Sequence, residues 1–273
     1  VEIGVGADHV LAKLAEADKR VASFAKDDKS LSHVARTFLR NYPTIIPALI
    51  LVLSILAFGI AAPRFLGAGA LSTVLQQVTV TGIVAIAQTL IILTAGIDLS
   101  LGAILVVSSL VMGNLAVNQG YPWPVAIGVG MFVGTFMGWL NGILVAYVKL
   151  PPFIVTLGSL QIFTALKLWY SGSESIRNVD IAEKSPILLW FGEAIQFGAF
   201  KLTYGSFSLI VLALVFLYIL SQTAWGRHVH AIGDDPDAAM LSGIRTNRTL
   251  VSVYAVAGLI CGFAAWVAIG RVG

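Results

Sequence analysis

Leu93-Thr94-Ala95-Gly96-Ile97-Asp98-Leu99-Ser100-Leu101-Gly102 interrupts an apolar run that extends from Leu71 to Val117. A single spanning helix needs about 20 mostly apolar residues, so the run is too long to be one span. The interruption carries the chemistry of a helix end followed by a helix start. Gly96 is expected to end the first helix, because glycine accepts the left-handed conformation. Asp98 or Ser100 is expected to cap the second, by accepting hydrogen bonds from free backbone N–H groups. The run therefore reads as two helices meeting at a turn, or as one broken helix partly within a bilayer. Asp98 is the only acidic residue between Asp28 and Glu174. An aspartate at mid-bilayer costs about 2.5–3.5 kcal/mol on insertion scales. It is either a structural cap near the membrane interface or a carboxylate on a transport pathway. The turn chemistry of Gly96 and Ser100 favours the cap, and no second buried acid is available as a proton-coupling partner.

The same apolar character extends outward from this break. The chain of 273 residues is 58% hydrophobic and 11% charged, with mean hydropathy +0.89. Average globular proteins carry about 25% charged residues. So few charges cannot cover the surface of a soluble domain of this size. The composition excludes a cytosolic enzyme, a disordered protein and a disulfide scaffold. Seven runs qualify or nearly qualify as spans: 45–62, 71–93, 99–117, 125–148, 153–170, 207–220 and 250–270. The sixth is short, and Phe200 to Tyr204 are expected to lengthen it. The expected fold is an all-α polytopic membrane bundle of about seven helices, residues 41–273, behind a polar extension, residues 1–40.

The charges are unevenly placed. Residues 41–170 hold only Arg64, Asp98, Lys149 and Lys167, whereas residues 1–40 hold seven basic and six acidic side chains. With the N-terminus inside, the inner segments hold eleven Lys or Arg and the outer side and ends hold six. The positive-inside rule then places the N-terminus and the 221–249 loop in the cytoplasm and the 171–206 loop outside. The net charge of +3 is too small to suggest nucleic acid. A partly amphipathic helix is expected within residues 8–40, where Val10, Leu14, Ala17, Val21 and Phe24 recur at helical spacing. Cys261 is the only cysteine, which excludes disulfides and cysteine-based metal sites.

Small residues mark packing faces. Gly134, Gly138 and Gly142 recur every four residues, as do Gly258 and Gly262, a pattern that lets helix backbones approach closely in lipid. The intramembrane polar groups other than Asp98 are neutral. Gln76, Gln77, Gln88, Asn141, Thr156 and Gln161 are candidates for a pathway lining, because amides and hydroxyls suit a neutral, hydroxyl-rich solute. Singly, each also serves as interhelical glue.

The 221–249 loop contains a short helix signature. Asp235 is a good N-cap, Pro236 fits the first helical position, Asp237 suits the first turn and Gly243 can stop the helix. An isolated helix of two turns is marginal in water, so it needs support from its own protein or from a docked partner. Ala238, Ala239 and Leu241 would be its docking residues. His228 and His230 have no third ligand nearby, and the chain has no phosphate loop. No cofactor and no metal site are expected, and any ATP hydrolysis would fall to another chain.

Three stretches resemble the bacterial monosaccharide ABC-transporter permeases of the ribose, xylose, arabinose and galactose type. They are Ile92 through Ala103; Asn141-Gly142 with Pro151 through Gly158; and Gly226-Arg227 through Gly233 with Ala238-Ala239 to Ile244. The resemblance implies an inner-membrane permease subunit that pairs with a second copy, most simply as a homodimer. ATP-binding subunits would dock on residues 235–243, and a periplasmic sugar-binding protein would deliver the solute. It also implies about ten spanning helices, so the chain is expected to be C-terminally truncated. Permeases for branched-chain amino acids or nucleosides, and ion-coupled secondary transporters, remain as alternatives.

Overall fold

A computed structural model describes residues 45–62, 64–172 and 176–272. The expectations for the 1–40 extension lie outside the described residues. The chain divides into two compact units, Val1–Phe65 and Leu66–Gly273. The first contributes one described helix, α1 (Ile45–Ala61), with no buried residue. Its 17 residues span about 26 Å at 1.5 Å per residue.

Among its described residues the second unit holds six helices long and apolar enough to cross a membrane, one of them together with the π-helical turn that follows it. They are α2 (Ala68–Ile92), α3 (Leu101–Gly113), α4 (Trp123–Ala146), α5 (Pro152–Ser171), α7 (Tyr204–Gln222) and α10 (Thr246–Val272). A π-helical turn, Asn114–Asn118, continues α3. Shorter helices are α6 (Asn178–Lys184), α8 (Ala224–Asp234) and α9 (Pro236–Leu241), with a 3-10 turn at Pro186–Gly192. With α1, every expected apolar run is helical.

Helix α10 is the central element. Val253, Ala257, Cys261 and Ala264 are fully buried, and the helix packs on α2, α3 and α4. Its seam with α4 is made of glycine. A Cβ on Gly134 would meet the Gly258 carbonyl oxygen at 2.7 Å and the Gly262 nitrogen at 3.1 Å. One on Gly138 would meet the Gly258 Cα at 3.0 Å, and one on Gly142 the Val251 Cα at 3.0 Å. The two small-residue stripes thus face each other in antiparallel order, backbone on backbone. A second tie is polar: the Ser206 hydroxyl on α7 lies 2.7 Å from Thr79 Oγ1 on α2 and 2.8 Å from Thr203 Oγ1.

One expectation at the sixth span fails. Phe200–Thr203 does not lengthen the helix; it forms strand β2, paired antiparallel with β1 (Ala194–Phe197). Gly198 turns the hairpin at φ 62°. Thr203 then caps α7, its hydroxyl accepting from Ser206 N at 3.2 Å. The cap fixes the helix start at Tyr204, because an extended Thr is the preferred geometry before the first turn. The 171–206 segment accordingly carries α6, the 3-10 turn and the hairpin.

Candidate functional site

The site is built around the break between α2 and α3. Helix α2 ends in a Schellman arrangement: Gly96 N donates to Ile91 O at 3.0 Å and Ala95 N to Ile92 O at 2.9 Å. The left-handed residue is Ala95, at φ 57°, and not Gly96 as the sequence suggested. The hydrogen bonding explains the shift: in this motif the left-handed residue is the one just before the residue whose N–H closes the longer bond, here Ala95 before Gly96. Gly96 is needed for space instead. A Cβ there would meet Ile91 Cγ2 at 3.0 Å and Tyr254 Oη at 3.2 Å.

Asp98 then organises the start of α3. Its Oδ1 accepts from Ser100 N at 2.6 Å and from Ser100 Oγ at 2.7 Å. This is the local Asx turn that aspartate makes with the backbone two residues on. Ser100 stands at the N-cap position, but its own side chain makes no cap bond. Asp98 is the capping side chain and Ser100 relays it onward. Asn141 Nδ2 on α4 donates to Ser100 Oγ at 2.9 Å, and Ser159 Oγ on α5 donates to Asn141 Oδ1 at 2.5 Å. Thr156 Oγ1 on α5 donates to the Ile97 carbonyl at 3.2 Å. A buried chain of neutral groups thus ties α4 and α5 to the turn. Among the described residues, Asp98 Oδ2 and Tyr254 Oη are buried without a hydrogen-bond partner.

The pathway candidates separate into groups. Asn141 and Thr156 lie inside this network and are buried. Gln76 and Gln77 lie toward the opposite end of α2, where Arg271 Nη1 donates to the Gln77 carbonyl at 3.3 Å. Gln88 is half-buried on α2, and Gln161 is exposed on α5. The structure does not gather these four around Asn141.

The second part of the site is the 221–249 loop. Helix α9 starts and stops at the residues expected of it. Asp235 Oδ1 accepts from Asp237 N at 2.9 Å and Ala238 N at 3.0 Å. Pro236 opens the helix, and Gly243 closes it at φ 86°. Ala239 is buried, whereas Met240 is 57% and Leu241 86% exposed. Ala238 is exposed as well.

Sequence reasoning missed α8. Thr223 caps it by accepting from Gly226 N at 3.2 Å, and Val229 and Ile232 are buried. Trp225 Nε1 donates to Ser252 Oγ at 2.9 Å, fastening α8 to α10. Trp225, Val229 and Ile232, at the i, i+4, i+7 spacing of a helix face, were the signal that could have found it. At the end of α8, Gly233 packs against the Leu93 carbonyl, with the Thr94 Cα at 3.6 Å from a Cβ built on it. The end of α8 therefore touches the start of the α2–α3 turn, at the same end of the unit as Asp98.

Comparison with known proteins points to one family. A profile described as branched-chain amino acid transport system / permease component matches residues 70–272. The fructose import permease protein FrcC of Rhizobium meliloti is 47% identical over 261 residues, covering 95% of this chain and 72% of that protein. The autoinducer 2 import system permease protein LsrD of Escherichia coli O9:H4 (strain HS) is 33% identical over 218 residues, covering 80% of this chain and 65% of that protein. No solved structure matches.

Proposed function

The chain belongs to the family of branched-chain amino acid transport system permease components and is the permease part of an ABC importer; on that premise we propose that its cargo is a monosaccharide. The observation that carries this reading is the 47% identity to a fructose import permease across 95% of the chain. The buried chemistry supports it. Among the described residues, Asp98 is the only buried charged side chain, and the other buried polar groups are hydroxyls and an amide. A zwitterionic amino acid would call for paired charges of both signs.

The proposed orientation follows the basic residues. The end that holds α8, α9 and the Asp98 turn faces the cytoplasm, and the α6–hairpin segment faces outward. ATP hydrolysis resides on separate ATP-binding subunits, which dock on α9 through Ala238, Leu241 and the Asp235–Pro236 start. A second permease copy pairs with this one, and a periplasmic sugar-binding protein delivers the solute. Gly233 against Leu93 supports a mechanical role for the loop: force on α8–α9 reaches the α2–α3 turn without an intervening side chain. ATP then biases transport to the extent that the docked ATPase favours one arrangement of this turn over another.

Uptake of labelled monosaccharides by cells expressing the complete importer tests the reading. It should survive dissipation of the ion gradients and stop on ATP depletion. Uptake that collapses with the gradient while ATP is intact would assign an ion-coupled mechanism. Uptake of leucine in preference to every sugar would assign the amino-acid cargo that the family description names.

A further inference from the structure

The end of the second unit opposite α8 holds a polar pocket that none of the foregoing uses. Helix α3 with its π turn runs 18 residues from the break, so the pocket lies roughly 25 Å from the Asp98 turn at 1.5 Å per residue. Its volume is about 240 Å³, and its lining includes Asn114, Asn118, Tyr170, Arg177 and Asp180. Two contacts hold its walls. Lys184 Nζ donates to the Val117 carbonyl at 3.0 Å, anchoring α6 over the π turn. A Cβ on Gly113 would meet Ile176 Cδ1 at 2.7 Å, so the bare glycine seats Ile176 on the end of α3.

Among the described lining residues, donors and acceptors are both present and the two charged side chains are of opposite sign. Asn118 Nδ2 donates to Asn114 Oδ1 at 2.9 Å. That bond orients the pair and leaves the Asn114 NH₂ as a donor and the Asn118 carbonyl as an acceptor. Arg177 Nε pairs with Asp180 Oδ2 at 3.3 Å; among the described residues that is the contact this pair makes, and its other N–H groups and carboxylate oxygen face a ligand's hydroxyls as donors and acceptor. Tyr170 adds a ring face and a hydroxyl. The π turn places Asn114 and Asn118 one loop apart, and such bulges recur at functional sites. At about 240 Å³ the pocket is at the small end of ligand sites, which run to about 300–1,000 Å³, a size for one sugar ring rather than a larger ligand. A net ionic ligand would find the Arg177–Asp180 pair already neutralised.

Resting on the monosaccharide reading above, we propose that this pocket is a polyol-binding site of the permease itself, on the face opposite the ATPase-docking helices, that takes one monosaccharide before it enters the span. The test uses the intact permease in lipid nanodiscs, without the binding protein, and a panel of D-fructose, D-ribose, D-xylose and D-galactose. Saturable millimolar binding of at least one sugar is expected by calorimetry. Asn114→Leu with Asn118→Leu should weaken it about tenfold or more, since each lost hydrogen bond to a ligand multiplies the loss. Arg177→Gln, whose side chain is 82% exposed and outside the core, should weaken it several-fold with unchanged thermal unfolding. Sugar uptake by the complete importer is measured beside it. Uptake without saturable binding to the permease, or binding unaltered in both variants, would overturn the pocket and leave the cargo reading standing. Absence of uptake for every sugar would overturn the cargo reading, and the pocket with it.

Discussion

Asn141 is the joint on which α3, α4 and α5 meet, and its removal gives a sharp expectation. It is 1% exposed and makes two interhelical bonds, to Ser100 Oγ at 2.9 Å and from Ser159 Oγ at 2.5 Å. Interhelical hydrogen bonds in membranes average about 0.6 kcal/mol and reach about 1.7. Asn141→Ala should therefore cost about 1 to 3.5 kcal/mol from the two bonds, with a further penalty for the cavity. The two contributions are separable. In a double-mutant cycle of Asn141→Ala with Ser159→Ala, the cavity cancels and the coupling should be about 0.6 to 1.7 kcal/mol. Equilibrium unfolding of the purified permease in mixed micelles measures it. The Ser159 hydroxyl can rebond to a carbonyl one turn back, which pushes the value toward the lower end. A coupling indistinguishable from zero would refute the claim that the network carries interhelical stability.

Three further outcomes follow from the same geometry. Gly233→Ala drives a Cβ into the Leu93 carbonyl; it should displace α8 from the turn and lower ATP-driven uptake by about tenfold while the chain still inserts, read by uptake and membrane fractionation together. Leu241→Asp places a charge on the 86% exposed tip of α9 and should release the ATPase from membranes without altering permease unfolding; normal ATPase recovery would refute the docking assignment. Asp98→Asn keeps an oxygen to accept from Ser100 N and Oγ and should retain most uptake, whereas complete loss in a folded, inserted variant would make the carboxylate functional.

The parts of this fold that were legible in the sequence are those whose signals are local. Runs of about 20 apolar residues announce spans, and Asp235-Pro236 with Gly243 bracket α9 within nine residues. The glycine stripes announced close packing because their four-residue spacing puts them on one helix face. Signals that required knowing which neighbours meet were not legible. Asn141 and Ser100 are 41 positions apart, and nothing local to either names the other. The left-handed position fell on Ala95 because the hydrogen-bond register, not residue preference, chose it. At Phe200–Thr203 hydrophobicity spoke for a helix, while the Gly198 turn and the Thr203 cap decided for a strand. Helix α8 was hidden because its start follows α7 with only Thr223 between them.

The glycine seam between α4 and α10 constrains how such a permease can change state. Where backbone rests on backbone, close packing leaves little room for the two helices to slide or roll past one another. The two helices therefore behave as a keel. On the proposed function, alternation between open and closed forms falls to the lighter timbers around it, the α2–α3 turn and α8, which meet where Gly233 packs against the Leu93 carbonyl.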